Sequence, residues 1–505
     1  MEILSHLSIN MFLLSSIGVL IGIIFGAIPG MTATLAVAVC LPLTYSLNLT
    51  DGLALLLGLY VGGISGGLVP AVLLNIPGTP SSITTTFDGY PMAQKGQGES
   101  ALKIAVVSSL FGGVFSAVIL YFFAPILANV AIKFSTVEKF LLIFLALTVI
   151  SSLSKNVLMG IFSGLLGVLI SLVGAYDISV GGNGEYRLMP EALEDQLSFG
   201  FSLLPVLIGM FGLASIIMAC LNKKSDTDVS SEMIKLDSKK KFNWSVFKGQ
   251  LFNMIRSSSI GTFVGLLPGI GGSAASVLAY TQQKNMSKNP DQMGKGAPEG
   301  VITSESANNG LTGGALIPLL SLGIPGDATT AVLVGAFTLQ GIQVGPLFIN
   351  ENLETWDFMI ISLFFANFVM FAIMFFAIRY VAKVVLIPKY ILYPIIVMMC
   401  VIGAYAINYG VMFDVWTLVM FGIFGVLAPK IGLEVVPFII GFILGKSAEV
   451  YFVKSIESYG DLSIFVTKSP IAMFLWVIII ASIGYSIRAV LKSSKNKNKN
   501  ISKTA

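Results

Sequence analysis

Long apolar stretches recur along the whole chain, each bounded by short polar interruptions and each nearly free of charge. Clear examples run from Phe12 to Ile28, Leu102 to Ala128, Leu141 to Ile150, Leu158 to Gly174, Phe199 to Leu221, Phe358 to Ile378, Ile391 to Ile407 and Ile471 to Ile487. A helix of roughly 20 apolar residues crosses the ~30 Å hydrocarbon core of a bilayer. The pattern therefore predicts an all-α polytopic membrane protein with about a dozen transmembrane helices. Composition supports this: of 505 residues, 55% are hydrophobic and 11% charged, and the mean hydropathy is +0.87. A water-soluble chain of this length could not hide that much apolar surface in one core.

The first residues, Met1 to His6, lack the basic region of a cleavable signal, so the first apolar stretch is expected to stay as a membrane helix. Cys40, Cys220 and Cys400 lie singly in or beside apolar segments, without metal or disulfide spacing. The polar interruption from Asn222 to Lys248 carries Lys223, Lys224, Lys235, Lys239, Lys240, Lys241 and Lys248, and the tail carries Arg488, Lys492, Lys495, Lys497, Lys499 and Lys503. Both are expected on the cytoplasmic side, whereas the acidic loop from Asp177 to Asp195, with Arg187 as its one basic residue, fits the opposite side. The net charge of +4 says little about nucleic acid, because the basic residues flank apolar segments.

The lysine-rich interruption divides two halves that resemble each other. Gly22-x-x-x-Gly26-x-x-Pro29-Gly30 is echoed by Gly261-x-x-x-Gly265-x-x-Pro268-Gly269. Gly66-Gly67 with Ile76-Pro77-Gly78 is echoed by Gly313-Gly314 with Ile324-Pro325-Gly326, and Pro205 to Gly209 by Pro437 to Gly441. The expected organisation is a first transmembrane repeat over 1–221, a lysine-rich linker over 222–248 and a second repeat over 249–446. A loop and extra helix over 447–490 and a tail over 491–505 complete it. With that extra span the repeats end on opposite sides, an inverted-topology duplication.

Each half holds two glycine- and proline-rich interruptions: Gly26 to Gly30 and Asn75 to Pro80, then Gly265 to Gly272 and Gly323 to Asp327. Proline removes an amide donor and glycine frees the backbone, so helices should break there. Paired breaks in the two halves point to a transporter's binding site. Hydroxyl and amide side chains cluster at them: Thr32, Thr34, Asn75, Thr79, Ser81 and Ser82, and Ser273, Ser276, Thr329 and Thr330. New helix starts beside these hydroxyls would favour an anion through unpaired N–H groups and the helix dipole, so these ten residues are the candidate substrate-binding set. Close-packing kinks with ordinary caps are the alternative, since Gly, Ser and Thr are common at membrane helix interfaces.

The run Glu299 to Gly310 is the densest polar stretch leading into an apolar segment. Ser304, Glu305, Asn308 and Asn309, with Asp327 past the second Ile-Pro-Gly break, are the candidate cation-coupling residues, because buried acids in a membrane are costly and usually functional. Enzyme readings are weaker. Gly63-Ile-Ser65-Gly66-Gly67 fits a serine-nucleophile motif, but His6, the one histidine, precedes the first span. Gly441 to Ser447 is one residue too short for a P-loop, and no Cys/His metal cluster exists. No catalytic residue and no cofactor are expected.

The motifs Gly26-Ala-Ile-Pro-Gly-Met-Thr-Ala-Thr34, Leu74-Asn-Ile-Pro-Gly-Thr-Pro80 with Asp88-Gly-Tyr-Pro91, Leu267-Pro-Gly-Ile-Gly-Gly272 and Gly296-Ala-Pro-Glu-Gly-Val-Ile-Thr-Ser-Glu-Ser-Ala-Asn-Asn309 stand in one order. With Gly323-Ile-Pro-Gly-Asp327 and Glu449 in the late loop, they resemble the TctA family, the large membrane subunit of the tripartite tricarboxylate transporters. The resemblance runs from about Gly22 to the last span. It implies a bacterial inner-membrane permease with a small TctB-like membrane subunit and a periplasmic TctC-like solute-binding protein. It further implies import of di- or tricarboxylates such as citrate, or of related organic anions, driven by a sodium or proton gradient. The motifs leave open a stand-alone carrier or channel for small anions and, more remotely, a membrane enzyme.

Overall fold

The computed structural model describes residues 9–152, 156–176, 184–221, 242–268, 271–408 and 410–484. His6, most of the lysine-rich linker, Asp177, Gly269 and the basic tail lie outside them. The described chain is almost wholly helical; a two-stranded ribbon pairs Gly174–Ala175 with Tyr186–Arg187. Among the described residues, eight helical stretches are long and apolar enough to cross a membrane, among them α1 (Ile9–Ala27). The chain is a multi-pass membrane protein. About a dozen spans were expected; Ala33–Thr44, Val157–Ser171, Ala328–Leu339 and Pro470–Gly484 are apolar but shorter.

After α1 come α2 (Ala33–Thr44), α3 (Leu49–Gly66), α4 (Leu68–Leu74), α5 (Thr85–Met92) and α6 (Gly98–Ala131). The second half runs through α7 (Leu251–Gly265), α8 (Gly271–Met286), α9 (Pro298–Leu322), α10 (Ala328–Leu339), α11 (Leu353–Phe376) and, near its end, α12 (Val435–Tyr459). Residues 447–459 thus continue α12, so the expected boundary at Lys446 falls inside a helix and Glu449 is helical, not in a loop. No glycine or proline interrupts Lys446 to Tyr459, and Gly460, in the left-handed region at φ 73°, ends the helix. The same continuous helix excludes a phosphate loop at Gly441 to Ser447.

Glycines four residues apart let α1 and α3 touch backbone to backbone. A Cβ at Gly18, Gly22 or Gly26 would stand 2.3, 2.5 and 2.3 Å from the carbonyl oxygens of Leu55, Leu59 and Gly63. In the second half α7 meets α9 in the same way: a Cβ at Gly261 would lie 2.2 Å from the Ala307 oxygen, and one at Gly314 2.4 Å from the Thr262 oxygen. Small residues at such spacing are how membrane helices approach closely. The halves also cross-pack. The long α6 lies along α9, α11 lies along α3, and α2 meets α10. Helix α9 is buried almost throughout although it carries Glu299, Thr303, Ser304, Glu305, Asn308 and Asn309.

Candidate functional site

All four interruptions break their helices. In the first half α1 ends at Ala27 and α2 starts at Ala33 behind Thr32, whose hydroxyl accepts from the Leu35 amide at 3.2 Å. Helix α4 ends on Asn75, at φ 58°, and the chain restarts with Thr79 and Ser82 forming a reciprocal capping box. In the second half α9 ends on Gly323, at φ 75°, and α10 restarts with Asp327 and Thr330 forming the same box. The Ile-Pro-Gly turns lie against the other breaks: a Cβ at Gly78 would meet the Gly26 oxygen at 2.2 Å, and one at Gly326 the Gly265 oxygen at 2.6 Å.

The restarts converge. Thr32 to Thr34, Thr79 to Ser81, Gly271 to Ser273 and Asp327 to Thr329 surround a cavity of about 130 Å³, whose lining also includes Ile64 and Leu311. The hydroxyls of Thr34 and Thr329, from opposite halves, are 2.8 Å apart. The leading amides of a helix have no intrahelical acceptor; around this cavity two long restarts, α2 and α10, bring such ends together. Asp327 is the charged side chain among the described lining residues. Its carboxylate accepts from the Thr330 amide at 2.7 Å, the Thr330 hydroxyl at 2.8 Å and the Tyr60 hydroxyl at 3.2 Å.

The expected substrate-binding set divides by position. Thr32, Thr34, Thr79, Ser81, Ser273 and Thr329 line the cavity. Ser82 and Thr330 cap the restarts, and Ser276 donates to the Ser273 carbonyl at 3.1 Å. Asn75 is exposed at the end of α4 and is not part of the lining; its left-handed backbone is its visible task.

The expected cation-coupling set also divides, because Asp327 belongs to the cavity while the others lie together on α9. Glu305 is fully buried and accepts from Thr85 at 2.5 Å, Ser109 at 3.0 Å, Asn308 at 3.3 Å and Asn309 at 3.4 Å. Ser65 donates to Asn309 at 2.7 Å. The buried oxygens Ser304 Oγ and Asn308 Oδ1, four residues apart on one helix face, have no hydrogen-bond partner among the described residues. Unsatisfied oxygen acceptors beside a carboxylate are a donor set that suits a hard cation.

Three residues outside the expected sets carry the site. Tyr60 was signalled only as a phenol in a buried apolar run, which must find a partner for its hydroxyl. Ser109 had no signal. Asp88, inside the Asp88-Gly-Tyr-Pro91 motif, is fully buried and grips the entry to α9: it accepts from the amides of Gly294, Gly296 and Ala297 at 2.9, 2.8 and 2.7 Å and from the Tyr280 hydroxyl at 2.7 Å. Elsewhere, Glu449 on α12 holds Arg187 in a two-pronged ion pair at 2.6 and 2.7 Å, and that hydrogen bonding pushes the guanidinium pKa above its ordinary value.

The description "Tripartite tricarboxylate transporter TctA family" fits residues 12–440 of this chain. This chain belongs to the TctA family. An Agrobacterium vitis protein described as "Uncharacterized 52.8 kDa protein in TAR-I ttuC' 3'region" is 36% identical over 483 residues, covering 95% of this chain and 94% of that one. A second from the same organism, "Uncharacterized protein in TAR-II ttuC' 3'region", is 40% identical over 216 residues, covering 43% of this chain and 88% of its own length. No solved structure matches. TctA proteins form a transporter family, so the paired breaks and their central cavity belong to a transport protein.

Proposed function

We propose that this chain is the permease subunit of a tripartite secondary transporter that imports di- or tricarboxylates or related organic anions, coupled to a sodium or proton gradient. The carrying observation is the cavity formed by the four helix restarts, rich in hydroxyls and amides and free of Lys and Arg among its described lining residues. Such ends hold a carboxylate through N–H groups and the helix dipole. Asp327 in the same wall would repel a bare polyanion, so cations entering with the substrate offset the charge. Glu305, with Ser304, Asn308 and Asn309, offers a second oxygen-rich position for sodium.

The cavity is smaller than the ~300–1,000 Å³ of typical ligand sites. A tricarboxylate therefore requires the restarts to part, beginning with the Thr34 to Thr329 contact. We read the matched packing of α1 on α3 and α7 on α9 as two inverted repeats within about a dozen membrane helices, with alternating access arising as one part of each repeat moves. The partners would be a small TctB-like membrane subunit and a periplasmic TctC-like binding protein, in a bacterial inner membrane with the tail cytoplasmic. The test is uptake of labelled citrate and other carboxylates by cells expressing the chain with its neighbouring subunits, with and without a sodium gradient. Gradient-dependent uptake is expected; no uptake of any organic anion by an inserted, complete complex would overturn the reading.

A further inference from the structure

Away from the central cavity, a second hollow opens where three helix ends meet: the start of α7 at Leu251, the end of α8 at Met286 and the start of α9 at Pro298. It has a volume of about 670 Å³ and shares no described lining residue with the central cavity. Its wall holds three cationic side chains, Lys248, Arg256 and Lys288, against one carboxylate, Glu299. Glu299 accepts from Gln283 at 3.0 Å and from the Ser287 hydroxyl.

Arg256 is half-buried and faces neutral acceptors. It donates to Asn253 at 3.3 Å and to Gln283, and its Nη1 lies 2.7 Å from the Met286 sulfur. Among the described residues its buried Nε has no hydrogen-bond partner and no carboxylate forms an ion pair with it. A guanidinium held by amides has its geometry set but its charge uncompensated. A guanidinium so placed attracts the oxygens of a phosphate group through its charge. The rim carries open apolar side chains: Phe252 and Met286 are 66% and 59% exposed. A cationic hollow bordered by outward-facing apolar side chains at helix ends is suited to the edge of a bilayer, where phosphate groups lie.

We propose that this hollow binds a phosphate group, presented by an anionic phospholipid or free in solution. Arg256 supplies the guanidinium charge and the remaining Nη1 hydrogen, and Lys248 and Lys288 supply further charge. The full-length protein is purified, exchanged into phosphatidylglycerol or phosphatidylcholine, and its retained lipid counted by native mass spectrometry. Inorganic phosphate is titrated separately against thermal unfolding. Wild type is expected to retain phosphatidylglycerol preferentially. Arg256→Gln should lower that retention on the order of tenfold, the size of one charge-assisted hydrogen bond. Lys288→Gln, at an exposed position, should lower it less and leaves the fold untouched. Stabilisation by phosphate that Arg256→Gln removes, without a lipid preference, assigns the site to soluble phosphate. Equal retention of both lipids with no phosphate effect, or both variants binding as wild type does, overturns the proposal.

Discussion

The segments Asn75 to Ser82 and Gly323 to Thr330 are nearly the same object built twice. Each closes its helix with an amide reaching back six residues, Ile76 to the Pro70 oxygen at 3.3 Å and Ile324 to the Pro318 oxygen at 3.2 Å. Each passes through a left-handed residue, makes an Ile-Pro-Gly turn against a glycine of a neighbouring helix, and restarts with a capping box. The difference in charge lies in the capping residue, Thr79 in one and Asp327 in the other. Both can cap a helix, so the acid is not needed for the cap. The scaffold is doubled while the charge is single, and this makes two like breaks chemically unequal.

The largest effect should come from making the second break like the first. Asp327→Thr keeps a capping hydroxyl and is expected to fold within about 1 kcal/mol of wild type, while under the proposed coupling role gradient-driven uptake falls on the order of a hundredfold. Uptake and thermal unfolding on the same preparation check both parts; unchanged uptake would remove Asp327 from the coupling path. Next come the turns themselves. Gly78→Ala places a methyl 2.2 Å from the Gly26 oxygen and Gly326→Ala one 2.6 Å from the Gly265 oxygen. Each should cost about 1–3 kcal/mol or more, with the tighter first site losing more monodisperse protein.

Glu305→Gln tests whether charge on α9 matters as charge on α10 does. Its amide would turn donors toward the hydroxyls and amides that now donate to the carboxylate, costing about 1–3 kcal/mol, and should weaken the sodium dependence of uptake more than the maximal rate at saturating sodium. A sodium titration of the variant reads this. Thr34→Val removes the contact between halves at the cavity, worth about 1 kcal/mol; a raised KM for substrate with near-normal expression is expected. The smallest effect belongs to the left-handed residues: Asn75→Gly should be neutral or slightly stabilising in thermal unfolding, and Gly323→Ala should cost about 1 kcal/mol.

Much of the site was legible because glycine and proline act on the backbone locally. Gly26 to Gly30, Asn75 to Pro80, Gly265 to Gly272 and Gly323 to Asp327 all interrupt helices where their residues forbid or relax helical geometry. The burial of α9 was less legible, since Glu299 to Asn309 lowers its hydropathy below that of an ordinary span. Thr303, Glu305 and Asn309 find their partners in Asn253, Thr85, Ser109 and Ser65 from other helices, which no local window contains. The end of α12 was misplaced because the polar run from Lys446 resembles a loop until its glycine stop at Gly460 is weighed.

By itself the sequence determined the solvent this protein lives in, the four places where its helices break and the hydroxyls that follow them. Those properties depend on residues adjacent in the chain, through hydrophobic transfer and backbone sterics. Only the tertiary structure decided that four breaks face one cavity, that Tyr60 reaches Asp327, that Asp88 holds the entry to α9, and that Glu305 lies apart from Asp327. These pairings join residues from about 190 to 300 positions apart, and their geometry follows from which glycine faces let helices approach.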